Sequence, residues 1–225
     1  MPIAPVAAWT GIANTSGAAS LTTGAIDTTG ANFLAAVVTC DVTGGVMSDN
    51  KGNTWSLAIG PVNNTGDNLY IYYCKNPTVG SGHTLTFTPG GSHYSTISAA
   101  AYSGLDTSAP LDKTAQGTGN TGAMTTANTA TTTQAAELLI GAFTVSTGST
   151  VVWTGGSGFT IRSHVDNGAV GGVSMLEDQI VAATGAYAGT GNNDQSAAYV
   201  ALIATFKGAT GGGGGGSANA AWVTA

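Results

Sequence analysis

Paired carboxylates are the first candidates for chemistry in this chain. It has two glutamates, Glu137 and Glu177, and Asp178 follows the second. A two-carboxylate glycosidase needs an acid and a base or nucleophile facing each other across a cleft. Glu137 and Glu177, or one of them with an aspartate, would have to supply that pair. Glu177 and Asp178 are neighbours in a run with strand character, so they are expected on opposite faces. No Glu-x-Asp-x-Glu pattern or aromatic cleft signature accompanies them. The nearest approach to a hydrolase nucleophile elbow, Gly155-Gly156-Ser157-Gly158-Phe159, lacks its final glycine and a following helix. His83, His93 and His164 lack metal-ligand spacing and are expected on the surface or in loops. Asp49, Asn50 and Asn53 could offer oxygens to calcium, with Asp67 as a further donor. The competing reading is a turn in which Asp and Asn bond their own backbone, a hairpin turn with Gly52 at positive φ. No phosphate loop is present, and no cofactor is expected.

The elements that must position these residues are strands. Short apolar or alternating runs rich in Val, Ile, Thr and Tyr are punctuated by Gly, Asn, Asp and Pro, and helical periodicity is nearly absent. Strands are expected at Val6–Gly11, Asn32–Val42, Thr54–Ile59, Asn68–Lys75, His83–Thr88, Ser95–Ser103, Glu137–Val145, Ser149–Trp153, Phe159–Ser163, Gly172–Val181 and Ala197–Lys207. Tyr70 and Tyr72 should share one strand face and Tyr73 the other, as core filling or, if exposed, as a sugar-stacking platform. The polar stretch Asp112–Thr133 is long enough for a crossing strand pair.

An internal two-half repeat relates residues 30–104 to residues 135–208. Asn32-Phe33-Leu34-Ala35 aligns with Glu137-Leu138-Leu139-Ile140, and Ala101-Tyr102-Ser103-Gly104 with Thr205-Phe206-Lys207-Gly208. These patterns predict an all-β, jelly-roll or lectin-like β-sandwich over residues 1–208. Two tandem sandwiches are the alternative. Residues 209–216 form a Gly-rich linker, and 217–225 a C-terminal tail in which Trp222 and Val223 are the expected partner-binding anchor.

Composition narrows function. Charged residues make up 7% of the chain, against about 25% in an ordinary domain. The surface must therefore be solvated largely by hydroxyls, amides and backbone, as on extracellular β proteins and virion shells. The net charge is −6, and the five cations are scattered, so nucleic acid is not an expected partner. No apolar run approaches a membrane span. Cys40 and Cys74 could be bridged or remain buried thiols. Met1–Val6 has neither a basic nor a continuous apolar region, so an ordinary secretory signal is not expected there. A phage virion protein, released by lysis, fits both observations, as does a chain trimmed of its signal.

Several strings, taken together, resemble a diffuse group of jelly-roll proteins of tailed phages and bacterial surfaces. They are Ser48-Asp49-Asn50-Lys51-Gly52-Asn53-Thr54-Trp55, Tyr72-Tyr73-Cys74-Lys75-Asn76, the run Tyr102–Asp112, Glu137-Leu138-Leu139-Ile140-Gly141, Glu177-Asp178-Gln179 and Phe206-Lys207. The resemblance implies a non-enzymatic virion structural protein, such as a capsid decoration protein, head fibre or tail component, docked on a protein lattice and self-associating. It brings no catalytic residues. The alternatives are a lectin-like module that binds glycans or a host surface, outside the cell or on its surface, and a glycosidase.

Overall fold

The computed structural model describes residues 1–166 and 172–210. The Trp222–Val223 anchor and the Gly211–Gly216 run lie outside the described residues. The described residues form an all-β molecule of seventeen strands, without helices. The strands are β1 (Ala4–Ala8), β2 (Ile12–Ala18), β3 (Leu21–Thr22), β4 (Phe33–Cys40), β5 (Val46–Asp49), β6 (Ser56–Asn63), β7 (Asn68–Lys75), β8 (Leu85–Thr88), β9 (His93–Ser103), β10 (Leu111–Asn120), β11 (Ala123–Thr125), β12 (Ala136–Val145), β13 (Trp153–Gly155), β14 (Thr160–Val165), β15 (Ser174–Ala182), β16 (Thr190–Asn193) and β17 (Ala198–Lys207).

All pairings between these strands are antiparallel, and they build four sheets. Two are large, with orders β1-β9-β4-β7-β6 (β2 also pairing with β9) and β10-β17-β12-β15-β14. Two are small, with orders β3-β8-β5 and β11-β16-β13. Three apolar cores separate them as layers. Leu34, Val38, Tyr70, Tyr72 and Ile97 of the first large sheet pack on Leu21, Met47, Leu85 and Phe87 of the first small one. The opposite face, with Phe33, Val37, Ile71 and Tyr102, packs on Leu138, Ile140, Leu202 and Phe206 of the second large sheet. Beyond that sheet, Phe143, Met175 and Tyr199 cover Met124 and Val151. The large sheets are thus covered on both faces. This is why β4, β12 and β17 are continuously apolar where a half-solvated strand would alternate.

The expected turn at Asp49–Asn53 is present, with Gly52 at φ +74°. It does not close a hairpin: β5 pairs with β8 in a small sheet, and β6 pairs with β7 in a large one. The chain passes there from one layer to the next. Cys40 and Cys74 are free and buried. They lie at opposite ends of the β4–β7 pair, six residues apart in register and hence about 20 Å along the strands.

A threonine ladder ties the stretch before β12 to the one before β16. Thr126, Thr129 and Thr132 each donate an amide to Gly189, Tyr187 and Gly185 carbonyls at 2.8–2.9 Å. Their hydroxyls accept the amides of the same three residues at 3.0–3.2 Å. The first half has a shorter version, in which Thr23 pairs with Leu85 and Thr28 with Gly80.

Candidate functional site

The clamp built by Asp49 is structural. Its Oδ1 accepts the amides of Lys51 and Asn53 at 2.9 and 3.1 Å, and Oδ2 accepts the Trp55 indole N–H at 2.8 Å. Burial raises the Asp49 pKa, but these N–H donors outweigh it and hold the carboxyl below its ordinary value. The Asn50 side chain spans Gly82 and Thr84, and Asn53 brackets Thr78 through both its amide groups. The oxygens of Asp49, Asn50 and Asn53 are thus engaged by N–H donors, as the turn reading requires. Among the described residues no group of three or more His, Cys, Asp or Glu side chains is placed to hold a metal.

His83 departs from the surface placement expected for it. It is fully buried, because the Trp9 indole stacks edge-on against its ring at 5.6 Å and donates to its carbonyl at 3.1 Å. The Thr28 hydroxyl lies 2.9 Å from Nδ1, and Nε2 stands 3.6 Å from Asp49 Oδ2, beyond hydrogen-bond length. Burial lowers the His83 pKa, against the pull of Asp49. Thr28, His83 and Asp49 follow the order of a nucleophile, base and orienter. However, Thr28 is itself buried and its hydroxyl accepts the Gly80 amide, so no substrate can reach it. His93 contacts Asp41 at 3.2 Å, and His164 is exposed on β14.

The two glutamates are buried on the same face of the second large sheet. Glu137 pairs with Val181 and Gly141 with Glu177, which sets them four register positions, or about 13 Å, apart. Both side chains are fully buried, unlike the open, facing pair that glycoside hydrolysis requires. Burial, reinforced by the adjacent Asp112 carboxylate, raises Glu137 to about 7. Asp112 is held low instead, because the Thr133 amide, the Glu137 carboxyl and the Lys113 ammonium together outweigh its burial. Glu177 is pushed up to about 8 by burial and by Asp178, although its Oε2 accepts the Gly156 amide at 2.9 Å.

Asp178 points to the other face, as the strand alternation predicts. Its Oδ2 accepts Arg162 Nε at 2.8 Å, with only 2% of the Asp178 side chain exposed and 27% of Arg162. Tyr102 is fully buried beside this pair, its hydroxyl short of hydrogen-bond geometry. Arg162 is the extra residue of a bulge in β14, between Ile161 and Ser163, and a bulge re-aims its side chain.

Arg162 also lines a groove of about 630 Å³ between the β1–β2 corner and β14. The corner passes so close to β14 that a Cβ on Gly11 would fall 2.0 Å from the His164 carbonyl oxygen. Thr10 and Thr15 line one wall; Ser163, His164 and Asp166 line the other. The Ser163 hydroxyl is buried without a hydrogen-bond partner. This groove is the candidate site. Nothing in the linear sequence singled it out, since its walls come from segments about 150 residues apart.

Comparisons against protein-family models, curated proteins and solved structures return no match. The function therefore rests on the geometry of the chain itself.

Proposed function

We propose that this chain is a non-enzymatic structural protein of a virion, a capsid decoration protein, head fibre or tail component, that docks on a repeating protein lattice. The observation that carries this reading is the layered stack. Two large sheets bury their inner faces on one another, and a small sheet covers each outer face. Such a body is a stiff spacer with two outward ends, suited to presenting a surface. The sparse charge and hydroxyl-rich composition suit a shell protein, and the net charge of −6 disfavours nucleic acid. Asp49 is engaged in a turn clamp and Asp178 in an ion pair, and the two glutamates are buried inside the stack. Self-association through the tail, with Trp222 and Val223 as the anchor, completes the proposal.

The test is the mass of the assembly in solution, the full chain against one ending at Gly208. The full chain should oligomerise and the shortened one should not. Two monomers of unchanged mass would remove the lattice reading. The groove favours a second reading, recognition of a glycan or host surface.

A further inference from the structure

The strand order of the first large sheet, β1-β9-β4-β7-β6, recurs in the second as β10-β17-β12-β15-β14, and β3-β8-β5 recurs as β11-β16-β13. The registers agree as well. Phe33 lies between Lys75 and Tyr102, as Leu138 lies between Ile180 and Phe206. Packing between the halves is reciprocal: β6 meets β17 as β14 meets β9, and β7 meets β12 as β15 meets β4. Such reciprocity is the pattern of a two-fold interface.

The relation gives each interface residue a counterpart. Tyr73 corresponds to Asp178, Phe206 to Tyr102 and Phe33 to Leu138. Ala58 corresponds to Arg162, each being the extra residue of a bulge. On one side, Phe33, Tyr73 and Phe206 form an aromatic trio with ring centroids 4.7–5.9 Å apart. On the other, the same places hold Leu138, Asp178 and Tyr102, with the Arg162–Asp178 ion pair. Packing alone does not call for a buried ion pair where an apolar cluster serves. The polar version is the one beneath the groove.

The groove's chemistry selects its ligand. Arg162 is held through Nε, which leaves its terminal N–H groups without a hydrogen-bond acceptor among the described residues. Asp178 balances its charge, Asp166 stands on the rim, and the whole chain is acidic, so an anion gains little here. Ala8, Ala13 and Val165 interleave apolar surface with the Thr10 and Thr15 hydroxyls. A sugar ring has the matching form, hydroxyls around an apolar C–H face. We propose that the groove binds a neutral saccharide, with Arg162 donating to its oxygens and Asp166 and the threonines accepting its hydroxyl protons.

This inference rests on the glycan reading and is independent of lattice docking. The probes are the methyl glycosides of glucose, galactose, mannose and N-acetylglucosamine, with glucuronate as the anionic comparison, read by saturation-transfer NMR and titration calorimetry on the full chain. At least one neutral glycoside should bind. Arg162→Ala should weaken it by roughly tenfold or more. Because that change leaves Asp178 unpaired, the rim variant Asp166→Asn is measured beside it. Asp166→Asn should also weaken binding while leaving the fold and the assembly mass unchanged. No binding by any neutral glycoside, binding by glucuronate instead, or binding that both Arg162→Ala and Asp166→Asn leave intact would overturn the proposal. Loss of oligomerisation on shortening the tail, with glycoside binding retained, would separate this site from lattice docking.

Discussion

Tyr73 and Asp178 hold the same register position in the two halves of the fold, yet Tyr73 packs in an aromatic trio and Asp178 binds Arg162 at 2.8 Å. The consequences of the two arrangements differ. An aromatic trio loses packing in proportion to what is removed. An ion pair with one partner removed leaves a charge with nowhere to go.

Arg162→Ala should therefore destabilise the protein by about 3–5 kcal/mol in denaturant unfolding, because Asp178 stays buried and unpaired. The double change Arg162→Ala with Asp178→Asn should recover most of that loss. A single substitution that costs no more than a surface change would show the pair to be solvated and idle.

The threonine ladder makes a separable prediction. In Thr129→Val the Tyr187 amide loses its acceptor, at present 3.0 Å away, while shape and β-propensity are kept. An orphaned buried donor costs about 1–3 kcal/mol. Thr129→Ser keeps the hydroxyl and should cost much less. Equal losses for Val and Ser would mean that the methyl packing, and not the hydrogen bond, holds the strap.

How much of this could be read in advance follows from burial. Strands covered on both faces, such as Asn68–Lys75 and Glu137–Val145, are apolar throughout and declare themselves. The strand β10, Leu-Asp-Lys-Thr-Ala-Gln-Gly-Thr-Gly-Asn, sits at a sheet edge where half its side chains meet water. It was legible only as part of a polar stretch. β16, Thr-Gly-Asn-Asn, is short and looks like a loop because a small sheet asks little apolar surface of it. The opposite facing of Glu177 and Asp178 followed from strand alternation alone. The groove did not, since Arg162 meets Asp178 only through the β14–β15 register and Tyr102 only through the packing of one sheet on the other. The alignment of Tyr102 with Phe206 was visible, but nothing local marks Asp178 as the counterpart of Tyr73. His83 was misplaced for a similar reason: the burial comes from Trp9, far away in sequence.

At Asp49 the prediction concerns both stability and metal. Asp49→Ala removes the acceptor of two amides and an indole N–H, and should cost about 2–4 kcal/mol as several buried or half-buried donors are orphaned. Because those oxygens are already engaged, millimolar calcium should leave the Tm of the wild-type chain unmoved, and so should a chelator. A rise in Tm with calcium that Asp49→Ala abolishes would restore a cation site to this turn.

The pH dependence of stability should fall on the alkaline side. Glu137 and Glu177 titrate at about 7 and about 8 in the fold, above their ordinary value of 4.5. The folded chain therefore holds protons that the unfolded chain releases. This contribution is fully present below pH 4.5, and it is lost progressively as pH rises through 7 and 8. His83 acts in the opposite sense. Its folded pKa lies below 6.5, so its contribution is lost as pH falls below that value. Asp49 and Asp112, held low, lose theirs only as pH falls below 3.8. From pH 4.5 upward two raised carboxyls outweigh one lowered imidazole, which places the optimum near pH 4–5, with Tm falling by on the order of 10 °C between pH 6 and pH 9. Glu177→Gln keeps an acceptor for the Gly156 amide but removes the ionisation. It should flatten the alkaline decline while changing Tm little at pH 5, whereas a parallel shift of the whole curve would mean that Glu177 does not carry the buried proton.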